Sequence, residues 1–217
     1  MPPDEKQVLR IYLFALFATW SLYVTFFYHS VEALPQPGRF LLHEAVRFIV
    51  FAGIPVWWAF RKAEHPIAAL GLKCSWRSLV IGFAVGLLYA SLGVLVGVYV
   101  QHRHFHPRIA EWAYWSAGFN LATLVEELGF RSFFLGVLHF RNSSAAILAS
   151  AVCFALIHTP GWYFLHLVAS GAELATQLAS IFLLGCVLAL VFRKTRSLYA
   201  VILVHALNNL AAAALRQ

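Results

Sequence analysis

The stretch Leu124–Gly136, LVEELGFRSFFLG, places two glutamates and an arginine inside an apolar run. An ionised side chain near the centre of a bilayer costs about 2.5–3.5 kcal/mol on insertion scales. Glu127 and Arg131 are four residues apart with the glutamate first, which is the favourable order for an ion pair on one helix face. Glu126 projects about 100° around the helix from Glu127, so this pair leaves Glu126 without a countercharge. A carboxylate in that position is suited to exchange protons near neutral pH, as a general base must.

Three polar residues of later apolar stretches complete a set that could hydrolyse a peptide bond. His158 ends the segment FALIHTP, and His205 and Asn209 lie four apart on one helix face in LVHALNNL. Glu126 and one imidazole can polarise a water, while a second imidazole and an amide can donate hydrogen bonds to a developing oxyanion. Asn208 is expected to point elsewhere, as a packing or interfacial residue. This chemistry needs no covalent intermediate.

The elements that must position these residues are membrane-spanning helices. The 217 residues are 61% hydrophobic and 12% charged, against about 45–50% and about 25% in soluble domains. This composition predicts one all-α polytopic transmembrane domain over residues 1–217. Most apolar stretches approach the roughly 20 residues that a helix needs to cross a bilayer. About seven spans are predicted: Val8–Tyr28, Leu41–Phe60, Leu79–Val100, Phe119–Phe140, Ala145–His158, Leu174–Phe192 and Leu198–Leu215.

The segment after the fifth stretch is predicted to be a short interfacial or re-entrant helix. Proline ends a helix because it lacks a backbone N–H, so the fifth span should stop at Pro160. The apolar segment Trp162–Ala169 is then too short to cross. If it does not cross, Glu126, His158, His205 and Asn209 all fall at one depth on one side of the membrane.

The net charge of +7 reflects membrane orientation and does not indicate a nucleic-acid partner, because the basic residues are scattered over short loops. Ten of them fall on one side and four on the other, which predicts a cytoplasmic N-terminus. The ten are Lys6, Arg10, Arg61, Lys62, Lys73, Arg77, Arg141, Arg193, Lys194 and Arg196. The four are Arg39, Arg103, Arg108 and Arg216.

The polar segments resemble the motifs of a known family. EELGFR fits E-E-x-x-x-R, FALIH fits F-x-x-x-H and HALNN fits H-x-x-x-N, in the order that the family has them. The chain is similar to the CPBP family of intramembrane proteases, which includes the type II CAAX prenyl endopeptidases and bacteriocin-processing and self-immunity proteins. The resemblance covers roughly Trp115–Ala213, and residues 115–213 are therefore predicted to form the catalytic core.

The resemblance implies an intramembrane endopeptidase that cuts near the C-terminus of a membrane-associated peptide or protein. Carried over by residue, Glu126 and His158 activate the water, and His205 and Asn209 stabilise the oxyanion. A bacterial inner membrane is the expected location, with a site near the outer face. That placement does not suit a prenylated substrate presented from the cytosol.

In the same resemblance, Glu127 and Arg131 hold the geometry of the first motif. No cofactor is expected. Zinc remains an alternative, because two histidines and a glutamate are possible ligands, although no H-E-x-x-H pair occurs.

Other functions stay open on the sequence alone. A proton-coupled transporter would also bury Glu, His and Arg, but no inverted repeat is evident. A non-enzymatic self-immunity or scaffold protein on the same fold is the main alternative. The histidine-rich QHRHFHPR is interpreted as a solvated loop. His43, Glu44 and Arg47 are expected to pair or to reach the interface, with Arg47 as a possible contact for a substrate's C-terminal carboxylate.

Overall fold

The structure is a computed structural model that describes residues 3–137 and 144–216, and it is an α-helical bundle. Arg141 and the end of the predicted fourth span, residues 138–140, lie outside the described residues. Twelve α-helices are described: α1 Pro3–Leu22, α2 Tyr28–Glu32, α3 Gly38–Arg47, α4 Ile54–Lys62, α5 Pro66–Ala69, α6 Trp76–Tyr99, α7 Trp112–Gly118, α8 Leu121–Glu127, α9 Ser144–Leu156, α10 Thr159–Phe164, α11 Gly171–Thr195 and α12 Leu198–Ala214.

Three π-helical segments extend these helices. Tyr23–Phe27 joins α1 to α2, Phe48–Gly53 joins α3 to α4, and Leu128–Val137 continues α8. Widened turns of this kind are frequent at functional sites. The third segment contains Arg131, so the motif that begins with Glu126 starts in an α-helix and ends in a π-helix.

Five of the described helical runs are long and apolar enough to cross a membrane. The predicted helical bundle is therefore confirmed, and the protein is a multi-pass membrane protein. The last predicted span forms α12, a shorter apolar helix. The fourth forms α8 and its π-helical continuation. The five long runs are Asp4–Glu32, Gly38–Lys62, Trp76–Tyr99, Ser144–Phe164 and Gly171–Thr195.

The predicted boundary at Pro160 is wrong by several residues. Helix α9 ends at Leu156, and a short helix exists as α10 over Thr159–Phe164 rather than over Trp162–Ala169. Pro160 lies in the first turn of α10. There its missing N–H removes no intrahelical hydrogen bond, so the proline starts the short helix.

Helices α6 and α12 pack closely because small residues lie between them. A Cβ added at Gly82 would lie 2.5 Å from the Ala200 carbonyl oxygen, and one at Gly86 would lie 2.9 Å from the Cα of Val204. The spacing from Gly82 to Gly86 is the small-xxx-small pattern that lets membrane helices approach each other. This contact fixes the position of α12, which carries His205 and Asn209.

A short pair of strands joins the segment before α7 to the residues after α12. β1 His104–Phe105 pairs antiparallel with β2 Leu215–Arg216. The predicted solvated loop at Gln101–Arg108 thus contains a two-residue strand, and both residues of that strand are exposed.

Candidate active site

The Glu127–Arg131 ion pair forms as the four-residue spacing predicts. Asn120 caps the N-terminus of α8, because its side-chain oxygen accepts a hydrogen bond from the Thr123 backbone N–H at 2.8 Å. At the other end of α8, Glu127 Oε2 lies 3.2 Å from Arg131 Nε. Both side chains are completely buried. The pair is therefore a fully desolvated element of the protein core.

Glu127 also contacts His205, which was not predicted. His205 Nδ1 lies 2.8 Å from Glu127 Oε1, so the two carboxylate oxygens serve two different partners. An ionised carboxylate can only accept, so Nδ1–H is the donor and Nε2 is the nitrogen left for other chemistry. Glu127 thereby connects α8 to α12 and fixes the orientation of the imidazole.

The Phe154 ring contacts Arg131, His158 and His205. Its centroid lies 4.1 Å from the Arg131 guanidinium carbon, within the range of a cation–π contact. The rings of His158 and His205 approach it edge to face, at centroid distances of 5.1 Å and 5.7 Å. Phe154 is fully buried. It was not predicted as a site residue, although it is the first letter of F-x-x-x-H and lies one helical turn before His158.

His158 is held at the end of α9 by its own helix. Its Nδ1 lies 2.8 Å from the Phe154 backbone carbonyl oxygen. A carbonyl only accepts, so Nδ1 carries the proton and Nε2 presents a lone pair. The Trp162 ring lies on α10 at a centroid distance of 5.5 Å. The imidazole is therefore fixed between two aromatic rings with one basic nitrogen available.

Glu126 differs from its neighbour in burial and in partners. It is partly exposed, whereas Glu127 is fully buried. Within the described residues Glu126 forms no hydrogen bond or ion pair, but it lies near enough to His158 for its charge to act on that imidazole. The two adjacent glutamates thus point in different directions, as the helical geometry predicted.

Asn209 is not joined to the other predicted site residues. It lies one turn after His205 on α12 and is half-buried. Its Oδ1 accepts a long hydrogen bond of 3.4 Å from Asn208 Nδ2. Among the described residues no hydrogen bond links Asn209 to Glu126, His158 or His205. The amide is available to a ligand, and Asn208 lies beside it.

The described residues contain no group of three His, Cys, Asp or Glu side chains arranged to hold a metal ion. The two histidines of the site use their Nδ1 atoms within the protein, one to a carbonyl and one to Glu127.

Comparison with known proteins identifies the region that contains this site. Residues 108–211 match the family model described as type II CAAX prenyl endopeptidase Rce1-like. The match includes all three motifs and every predicted site residue. A search of the curated proteins and a search of the solved structures found no match to the chain.

Proposed function

We propose that this protein is a glutamate-dependent intramembrane endopeptidase, because residues 108–211 match the Rce1-like family model of type II CAAX prenyl endopeptidases, a protease family. Its substrate is a peptide or protein with a membrane-associated C-terminus, cut near that end. We further propose a bacterial inner membrane as its location and a cytoplasmic N-terminus, on the asymmetry of its basic residues.

The observation that carries this proposal is the environment of Glu126 beside His158. Glu126 is a carboxylate without a partner among the described residues, partly open to solvent, and its charge acts on His158. His158 has one basic nitrogen free. A carboxylate and a neutral imidazole that share access to solvent can bind and deprotonate one water.

In the proposed reaction Glu126 accepts a proton while the water oxygen adds to the scissile carbonyl carbon, and His158 orients that water. The carbonyl oxygen becomes an oxyanion that receives hydrogen bonds from His205 and Asn209. The C–N bond then breaks, and the proton held by Glu126 passes to the leaving nitrogen. The products are a carboxylic acid, which loses its remaining proton to water, and an amine, and no covalent intermediate is formed.

The contact between Glu127 and His205 sets a requirement on this scheme. Nδ1–H of His205 is already donated to Glu127, so only Nε2 can serve the oxyanion. To donate, Nε2 must also carry a proton, which makes the ring an imidazolium. The buried Glu127 carboxylate is the anion in contact with that ring, and its other oxygen pairs with Arg131. In our proposal Glu127 and Arg131 are thus positioning residues. No step requires a metal ion.

Replacement of Glu126 by glutamine tests the proposal, because glutamine keeps the shape and removes the base. We would compare the C-termini of membrane and secreted proteins by mass spectrometry in the native host. The wild type, Glu126→Gln and Glu111→Gln would be expressed at equal levels. Glu111→Gln is a matched control, since its carboxylate forms an exposed pair with Arg108 outside the site.

Termini that disappear only in Glu126→Gln are the expected result, and they would also identify the substrate. An unchanged profile from folded Glu126→Gln protein would contradict the glutamate mechanism. The non-enzymatic self-immunity or scaffold role would then be the better explanation.

A further inference from the structure

A second polar cleft lies outside the proposed catalytic machinery. Its volume is about 390 Å³, and it lies between α2 and α3 on one side and the turn from α7 to α8 on the other. The mechanism proposed above uses none of its residues. Its charged and amide side chains include Glu32, Arg39, His43, Glu44, Arg47 and Asn120.

Most charges in this cleft already have partners. Glu32 accepts from Arg39 Nη1 at 3.2 Å and lies 3.0 Å from His43 Nε2, so both of its oxygens are used. Glu44 Oε1 accepts from Arg47 Nη1 at 2.6 Å. The cleft therefore offers positive and negative charge side by side, which suits a ligand that carries both.

The other oxygen of Glu44 has no partner. Glu44 is 8% exposed, and its Oε2 is buried without a hydrogen-bond donor among the described residues. A buried carboxylate oxygen left unsatisfied is costly and rare in folded proteins. Because Glu44 lines the cleft, a ligand there that brings a positively charged N–H group would satisfy this oxygen once the carboxylate turns toward the cleft.

An apolar groove lies on the same two helical runs as the cleft. Its volume is about 290 Å³, and its lining includes Leu22, Phe27, Val46 and Val50. The residues next to Phe27 and Val46 in sequence, Tyr28 and Arg47, line the polar cleft. The Tyr23 hydroxyl, in the lining of the groove, contacts Nδ1 of His43, in the lining of the cleft, so the two cavities are neighbours. From Glu32 to Leu22 the first helical run extends by about 15 Å toward the middle of the span.

We propose that the cleft and the groove together bind one molecule of phosphatidylethanolamine. The phosphate diester lies between Arg39 and Arg47, and the primary ammonium donates a hydrogen bond to Glu44 Oε2. An acyl chain occupies the apolar groove. A choline headgroup has no N–H to donate, and an anionic glycerol headgroup has no cation, so each leaves Glu44 unsatisfied.

Because of the position of the cleft, a lipid bound there would affect the start of helix α8. Asn120 lines the cleft and caps the start of α8, the helix that carries Glu126 and Glu127. A headgroup in the cleft contacts both α3 and this cap. Bound lipid should therefore hold the first turn of the catalytic helix against the first two spans.

Native mass spectrometry of the full chain in detergent tests this site, with phosphatidylethanolamine, phosphatidylcholine and phosphatidylglycerol of identical acyl chains as probes. We expect phosphatidylethanolamine to bind about tenfold more tightly than the other two, since one charge-assisted hydrogen bond separates them. Glu44→Gln should reduce its affinity to that of phosphatidylcholine. Glu111→Gln should not change it, because Glu111 forms an equivalent i,i+3 pair with Arg108 at 2.9 Å outside the cleft.

Equal affinity for the three headgroups on the wild-type protein would overturn the proposal, and this comparison needs no variant to fold. Undiminished selectivity in Glu44→Gln would also overturn it.

Discussion

His205 Nδ1 lies 2.8 Å from Glu127 Oε1, a hydrogen bond between residues 78 positions apart in sequence. The second oxygen of the same carboxylate lies 3.2 Å from Arg131 Nε. Glu127 is therefore the buried centre of a three-residue network that joins α8, its π-helical continuation and α12. Glu126, the adjacent residue, belongs to a different environment with access to solvent.

Glutamine at position 127 should destabilise the protein. It would leave the fully buried Arg131 without a countercharge, which typically costs about 3–5 kcal/mol. Glu126→Gln is the matched control, because the same chemical change at a partly exposed, unpaired carboxylate should leave stability within about 0.5 kcal/mol. Thermal unfolding of both variants in one detergent measures the difference.

Equal melting temperatures for the two variants would show that the Glu127–Arg131 pair contributes little. A double variant, Glu127→Gln with Arg131→Met, removes both charges together. It should recover part of the stability lost in Glu127→Gln, because an apolar replacement of a buried pair is often neutral.

Leucine at position 154 should impair activity more than stability. The Phe154 ring contacts Arg131, His158 and His205, and leucine would release both imidazoles from their edge-to-face contacts. Phe133→Leu is the matched control: Phe133 is also fully buried, but its ring packs against Tyr12 at a centroid distance of 4.9 Å. Each change should cost about 1–2 kcal/mol of stability.

Cleavage rates on the substrate identified through Glu126→Gln would separate the two variants. We expect kcat to fall about tenfold or more in Phe154→Leu, as is usual when a general base or its partner is misplaced, and to stay near wild type in Phe133→Leu. If kcat falls equally in both, the ring has a packing role and does not position the site.

Local geometry was predictable from the sequence, and contacts between distant helices were not. The four-residue spacing of Glu127 and Arg131 is sufficient to predict their contact, because a helix places such residues on one face. The divergence of Glu126 from Glu127 follows from the same geometry. The bundle itself follows from composition and from the length of the apolar stretches.

The hydrogen bond from His205 to Glu127 depends on how α12 packs against α8, which no local pattern contains. The contacts of Phe154 with the two imidazoles were not predictable either, because an apolar residue in an apolar helix does not indicate which side chains pack against it. The boundary near Pro160 was missed because proline both ends a helix and suits the first turn of the next one. The π-helical turns have no signature that a hydropathy reading detects.

Alanine at position 82 should loosen the contact between α6 and α12. Its Cβ would lie 2.5 Å from the Ala200 carbonyl oxygen, and backbone atoms cannot move away cheaply. We expect a loss of about 1–3 kcal/mol. Gly93→Ala on the same helix is the control, since nothing lies within 4 Å of its added Cβ. Unfolding by denaturant or heat should separate the two, and equal stability would show that α6 can shift to accept the methyl group.

Alanine at position 129 should disturb the catalytic helix directly, because Gly129 lies inside the EELGFR motif. Its Cβ would lie 2.9 Å from the Phe51 carbonyl oxygen and closer still to the Tyr12 hydroxyl. That hydroxyl donates a hydrogen bond of 3.0 Å to the same carbonyl, so both groups are held in place. Overpacking there should cost about 1–3 kcal/mol and shift Glu126 relative to His158, which lowers kcat.

Gly53→Ala provides the comparison for Gly129→Ala, because Gly53 is also in a π-helical segment but has open space where its Cβ would lie. It should be neutral or slightly stabilising, as alanine favours helical backbone by about 1 kcal/mol over glycine. Adding Tyr12→Phe to Gly129→Ala removes the nearest clashing atom, so part of the lost activity should return. Full activity in Gly129→Ala alone would mean that α8 and the first two spans are not held rigidly, and that the position of Glu126 does not depend on them.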